Sequence, residues 1–151
     1  SGTGLNQQQV QHKQNIVAQA LSLHKEQLQS PLANLRCLGG FEIVALVGAY
    51  IAAAQSGIPC LVDGYISSCA ALYACALNAG VKDWLLFSHQ STEPGHQQIL
   101  KHLAVQPLID FNLRLGEASG AALVVPLLQS ACLLHSQMHT FAQAGVSTAK
   151  E

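Results

Sequence analysis

Residues Ile58 to Val62 form an unbroken apolar run, closed on one side by Gly57 and on the other by Asp63-Gly64. A strand with no polar alternation has both faces covered, which is the environment of a parallel sheet between layers of helices. The pattern then recurs, with a helix from about Ile66 to Leu77, a second strand at Trp84 to Phe87, a loop, and a helix opening near Pro94. Two consecutive strand-loop-helix units imply right-handed crossovers. Upstream, Asn6 with Gln9 three residues on has the form of a capping box, and Val10, Val17, Ala20, Leu21, His24 and Leu28 share one helical face, so a helix is predicted from Gln7 to Leu28. Pro31 and Gly39-Gly40 bracket a short turn. Phe41, Ala45, Gly48 and Ala52 then give a helix with a small-residue face suited to close packing. Downstream, Ile109 to Leu115 reads as extended and Ala121 to Leu134 as a buried helix. The expected fold is α/β, a partial Rossmann-like parallel sheet flanked by helices, with C-terminal helices, in one domain over residues 1–151.

Composition narrows the function classes. Of 151 residues, 50% are hydrophobic and 10% charged, with a formal net charge of -1. Such a chain offers nothing to attract nucleic acid or an anionic membrane. Its longest apolar stretch, Ile43 to Ala54, is short of the roughly 20 residues a spanning helix needs. Five cysteines, Cys37, Cys60, Cys69, Cys75 and Cys132, are odd in number and lodged in apolar runs. They fit small core residues in a reducing cytoplasm better than a disulfide framework. The chain opens on Ser1-Gly2-Thr3-Gly4 with no initiator Met and no strand before this Gly-rich loop, so it is expected to be a piece of something longer.

Two segments carry the candidate chemistry. The first is Arg114-Leu115-Gly116-Glu117-Ala118-Ser119-Gly120-Ala121, which sets one carboxylate in a tight turn between the extended run and the last helix. Open α/β sheets place ligands at such edges. Flanked by Leu115 and Ala118, Glu117 is expected to be partly desolvated, with a raised pKa suited to general-base work. The alternative is that it caps the following helix. The second is Ser88-His89-Gln90-Ser91-Thr92-Glu93-Pro94-Gly95-His96, where Pro94 suits a first helical turn and Ser91 or Thr92 suits the cap before it. Free amides at such an end hold anions, although ordinary capping accounts for the same residues. Other constellations are weaker. His89, Glu93 and His96 share this loop, but no cysteine pair or ligand spacing supports a metal. Ser91, His96 and Asp63 lack the elbow of a hydrolase triad. Gly2-Thr3-Gly4 is neither a Walker loop nor a dinucleotide fingerprint.

Four runs in order, RCLGGFEI from Arg36, VDGYIS from Val62, EPGH from Glu93 and RLGEASGA from Arg114, resemble the nicotinate-nucleotide:dimethylbenzimidazole phosphoribosyltransferases. The resemblance extends from Gly2-Thr3-Gly4 to Phe141–Gly145 and corresponds to the C-terminal portion of a family member. An N-terminal portion that contributes to the base pocket, and a second acidic residue with it, lies outside. The resemblance implies transfer of phosphoribosyl from nicotinate mononucleotide to dimethylbenzimidazole with inversion, giving α-ribazole 5′-phosphate and nicotinate in cobalamin biosynthesis. It implies that Glu117 is the catalytic base and that Lys13, Ser91, Gly2, Thr3 and Gly4 hold the 5′-phosphate. It places Asp63-Gly64 near the ribose and Leu115-Gly116 in the ribose and base pocket. No cofactor or metal is implied, and the family forms homodimers in the cytoplasm. A competing expectation is a truncated, non-catalytic module that binds nucleotide phosphate or only self-associates.

Overall fold

A computed structural model describes residues 4–113 and 115–146. Its elements run α1 (Gln7–His24), α2 (Pro31–Leu38), α3 (Phe41–Gln55), β1 (Cys60–Val62), α4 (Tyr65–Leu77), a 3-10 turn (Ala79–Trp84), β2 (Leu85–Phe87), α5 (Pro94–Leu103) and α6 (Ser119–Gln137). The expected capping box is present: Asn6 Oδ1 accepts from the Gln9 amide and Gln9 Oε1 from the Asn6 amide, each at 2.9 Å. The helix it opens ends at His24, four residues short of expectation, because residues 25–27 tighten into turns before Ser30 caps α2. Ser30 Oγ accepts from the Ala33 amide, and Pro31 takes the first helical position, where its missing N–H costs nothing.

β1 and β2 pair in parallel, Cys60 with Leu85, Leu61 with Leu86 and Val62 with Phe87. Both strands begin later than the apolar pattern suggests. Pro59 has no N–H to give a ladder, and the Ile58 amide still closes the end of α3 on the Ala53 carbonyl. Trp84 belongs to the 3-10 turn. Beyond β2 the chain keeps a parallel neighbour: Leu108 N donates to Phe87 O, Ile109 N to Ser88 O, Gln90 N to Ile109 O and Thr92 N to Leu113 O. The extended reading of the segment that begins at Ile109 is therefore realised as an irregular third strand, with one formal bridge between His89 and Ile109. The order β1, α4, β2, α5, third run is the expected α/β progression.

The sheet is covered on one face. Val62, Leu85 and Phe87 are buried with Ala70, Ala71 and Ala74 of α4, Val47 and Tyr50 of α3, and Ile99, Leu100 and Leu103 of α5. Here the small-residue face predicted for α3 is corrected. Phe41 is 96% exposed, and Ala45, Gly48 and Ala52 are exposed too. The helix packs through Ile43, Leu46, Val47, Tyr50, Ile51 and Ala54 instead. These bulkier side chains remove more apolar area from water than the alanine stripe would.

The opposite face is open, which corrects the expectation of a fully covered sheet. Leu61 and Leu86 point to a groove of about 840 Å³ under α6, lined also by Pro59, Val125, Leu128, Cys132 and Leu133. The helix α6 was expected to be buried, yet only Gly120 and Val124 are. At 19 residues without a charged side chain it exceeds the 43–54 stretch, and it is long and apolar enough to cross a membrane by length and composition.

Candidate functional site

The carboxyl ends of β1 and β2, the third run and the start of α6 converge. Asp63 follows β1 directly, and Ser88-His89 follow β2. Ser88 is buried, its hydroxyl donating to the carbonyls of Val62 at 2.8 Å and Asp63 at 3.0 Å, which ties the two strand ends together. Ser67 closes the next turn: its Oγ accepts from the Gly64 amide at 2.9 Å and donates to the Gly64 carbonyl at 3.0 Å. Beneath it the Tyr50 phenol is pushed up to about 12, first by burial and then by the nearby Cys60, against a lowering hydrogen bond from Ser67. It belongs to the buried core under the site's edge of the sheet and stays neutral.

Glu117 sits in a turn of unusual backbone. The Ser119 amide donates to the Gly116 carbonyl at 3.1 Å, and the two residues between them, Glu117 and Ala118, have φ of 56° and 59°. This is the arrangement of a type I′ turn, which ordinarily selects Gly or Asn at both central positions. Gly116 itself has φ of 81°. Side chains in this region cost about 1 kcal/mol or more each, a cost characteristic of functional turns. The turn thrusts Glu117 outward. It is exposed, and Leu115 is 79% exposed, so the expected desolvation by Leu115 and Ala118 does not occur among the described residues. Nor does Glu117 cap α6. The N-cap is Ala118, which has no side chain able to do so, and the amide of Ala121 in the first turn donates to Asp63 Oδ1 at 2.9 Å. Asp63 was expected beside the ribose or capping the helix that follows it. It caps a helix 58 residues downstream. A carboxylate thus already stands at the first turn of α6.

His89 completes this junction. It is buried, its Nε2 lies 3.9 Å from Asp63 Oδ1, and its ring occupies the space that a Cβ on Gly120 would need. Gly120 is therefore a close-approach glycine.

The 88–96 loop folds on His96, which is fully buried at 0% exposure. The Ser91 amide donates to His96 Nδ1 at 2.9 Å, and Ser68 Oγ lies 2.9 Å from Nε2. Because Nδ1 accepts, Nε2 carries the proton and donates to Ser68. Burial, and then the neighbouring His89, hold its pKa below the usual histidine value against a smaller upward pull from Asp63. The hydroxyl on His96 is thus that of Ser68, not Ser91, and the pair is sealed from solvent. The helix cap is Glu93 rather than Ser91 or Thr92, and Ser91 Oγ accepts from the Glu93 amide at 3.3 Å. Tyr65 lies against Gly95 at the start of α5, where a Cβ would stand 2.7 Å from the phenol oxygen.

Of the remaining phosphate candidates, Lys13 is exposed on α1, a helix with no buried residue that rests on α2. Gly4 is exposed with φ of 84°. Gly2 and Thr3 lie outside the described residues. Gly64 is half-buried and Gly116 exposed. The structure thus joins Asp63, Gly64, His89, Ser91 and the Glu117 turn in one region. It leaves Lys13 on a separate helix. Among the described residues no group of three or more His, Cys, Asp or Glu side chains is arranged to hold a metal ion. Sequence reasoning passed over Ser68 and weighed His89 only as a metal ligand, because the partners of both are remote along the chain.

A phosphoribosyltransferase family model matches residues 1–146. The nicotinate-nucleotide–dimethylbenzimidazole phosphoribosyltransferase of Xanthomonas axonopodis pv. citri (strain 306) is 59% identical over 99% of this chain and 42% of that protein. Its namesake from Pseudomonas syringae pv. syringae (strain B728a) is 57% identical over 97% of this chain, again 42% of that protein. The crystal structure of CobT from Thermus thermophilus superposes with a TM-score of 0.88 at 38% identity, covering 98% of this chain and 44% of that one. The chain spans about 42% of the length of these curated relatives. With the motifs, the parallel α/β arrangement and these matches in agreement, the chain belongs to the nicotinate-nucleotide:dimethylbenzimidazole phosphoribosyltransferase family.

Proposed function

We propose that this chain, extended to the length of its relatives, transfers phosphoribosyl from nicotinate mononucleotide to dimethylbenzimidazole, with Glu117 as the base. The observation that carries the reading is the turn at 116–119, which holds a carboxylate in a costly backbone conformation at the carboxyl edge of a parallel sheet. In the reaction, the bond from C1′ of the ribose to nicotinate breaks and its electron pair returns to the pyridine nitrogen, discharging the pyridinium. That leaving group needs no strong acid. A bond forms from C1′ to a benzimidazole nitrogen on the opposite face, and the ring N–H proton passes to Glu117. One displacement inverts C1′ and gives an α-nucleotide, without the covalent intermediate of retaining glycosyl transfer. Rate then depends chiefly on holding the two substrates in line.

Ser91 beside α5 and Lys13 are assigned to the 5′-phosphate with Gly2, Thr3 and Gly4, Gly64 to the ribose edge, and Leu115-Gly116 to the base pocket; Asp63, expected at the ribose, is engaged by the Ala121 amide instead. These assignments rest on the family's motifs. Residues 1–151 by themselves leave Glu117, Leu115 and Gly116 exposed, so we assign the isolated chain weak nucleotide binding, self-association and no transfer. In the complete enzyme we expect a homodimer working in the cytoplasm.

The test is Glu117→Gln in the protein at its relatives' length, with α-ribazole 5′-phosphate followed by chromatography. Turnover falls by about 10²–10⁴ while mononucleotide binding changes little. Near-normal turnover refutes the assignment.

A further inference from the structure

Among the described residues the Glu117 turn is closed locally by the Ser119 amide on the Gly116 carbonyl, with no side-chain cap behind it. Its N-cap residue is an alanine, the helix that follows is exposed along most of its length, and both central residues of the turn occupy left-handed backbone. What fixes the first turn of α6 comes from the two strand ends. Asp63 takes the Ala121 amide, and the His89 imidazole fills the space left by Gly120 and stands 3.9 Å from the same carboxylate. Ser88, the neighbour of His89, is bonded to the Asp63 carbonyl, so the two fixing residues are tied to each other.

We infer that Asp63 and His89 are positioning residues that clamp the start of α6 and so set where the Glu117 carboxylate stands relative to the reacting nitrogen. This rests on the reading of Glu117 as base. It differs from a direct ribose contact, because here Asp63 acts through the backbone of the helix rather than on substrate.

The test is a cycle in the protein at its relatives' length, assayed with nicotinate mononucleotide and dimethylbenzimidazole. Displacing a reacting group by an ångström or so costs about 10²-fold, so Asp63→Ala lowers kcat by roughly that factor with KM for the mononucleotide changed less than about threefold. Asp63→Asn keeps an acceptor oxygen at a cap position and recovers most of the loss. In a Glu117→Gln background, Asp63→Ala costs less than about threefold further, because groups that act as a unit are not additive. Additive losses in both backgrounds, or a loss confined to KM, would mean a ribose contact or general destabilisation and would overturn the clamp.

If Asp63→Ala does not fold, Gly120→Ala probes the clamp from its other side by driving a methyl into His89. It gives the same Glu117-dependent loss, and adding His89→Ala restores part of it. An additive loss, or no rescue, overturns the inference equally. Should Glu117→Gln alone prove near-normal, the base reading fails instead. Amide exchange at residues 119–122 then still decides the clamp, with faster exchange expected in Gly120→Ala and unchanged exchange refuting it.

Discussion

Replacing His96 with leucine changes little in volume and removes both ring nitrogens from a site with no solvent access. Two groups lose their partners: the Ser91 amide, bonded to Nδ1, and the Ser68 hydroxyl, bonded to Nε2. A stranded buried polar group costs about 1–3 kcal/mol, so the pair costs about 2–6 kcal/mol, with the rotatable Ser68 hydroxyl pulling towards the lower end. That is a large part of the roughly 5–15 kcal/mol by which domains are stable. Urea denaturation at pH 7.5, monitored by circular dichroism, measures it. The same experiment at pH 5 identifies the cause. His96 has a folded pKa below its unfolded value near 6.5, so below that value the unfolded chain takes up a proton that the folded chain resists. The parent loses this stability as pH falls through 6.5 towards the folded value, whereas the leucine variant has no such group to titrate. The gap between parent and variant therefore narrows at pH 5. A gap under about 1 kcal/mol at pH 7.5, or one equally wide at both pH values, would refute the reasoning.

Ala118→Gly removes a left-handed side-chain penalty and adds backbone entropy to the unfolded state. The balance should stabilise the protein by about 0.5–1 kcal/mol in thermal melts, and a loss would show that the turn is not strained as described. Lys13→Ala should weaken nicotinate mononucleotide far more than the phosphate-free nucleoside in titration calorimetry, since a charge-assisted contact exists only with the phosphate; equal weakening would place Lys13 elsewhere. Residues 1–151 alone should show concentration-dependent association in sedimentation, reduced by Leu133→Gln with Leu134→Gln. Both side chains are exposed on α6, and unchanged association would locate the contact on another face.

The periodic parts of this fold were legible because their signals are local. The Asn6-Gln9 box, Pro94 at a helix start, and the apolar runs at 58–62 and 84–87 each announce an element within a few residues, whereas the segment from Pro31 to Gly39, read as a short turn, folds as α2. Burial was less legible. An apolar helix such as α6 is apolar whether its cover lies in the same segment or elsewhere, and the alternation of covered and open sheet faces at Leu61 and Leu86 is invisible in a run that is apolar throughout. The site divides in the same way. Glu117 stood out because a charge between two glycines in an apolar context is anomalous. The capping of α6 by Asp63, the seat of His89 on Gly120 and the Ser68-His96-Ser91 network join residues far apart in sequence, and no local pattern encodes them.

That long reach orders events in time. The cap of the last helix joins residues 58 positions apart, across the α4 crossover that sets β1 beside β2. Loop closure must be supplied before non-local contacts return any free energy, so pairings of this separation form late in folding. Substitutions at Asp63 or Gly120 should then speed unfolding more than they slow folding, whereas those among the small residues of α4 should do the reverse. The turn that carries Glu117 is in this sense the final piece to be set, and a nascent chain stalled before that point presents a formed sheet with no base in place.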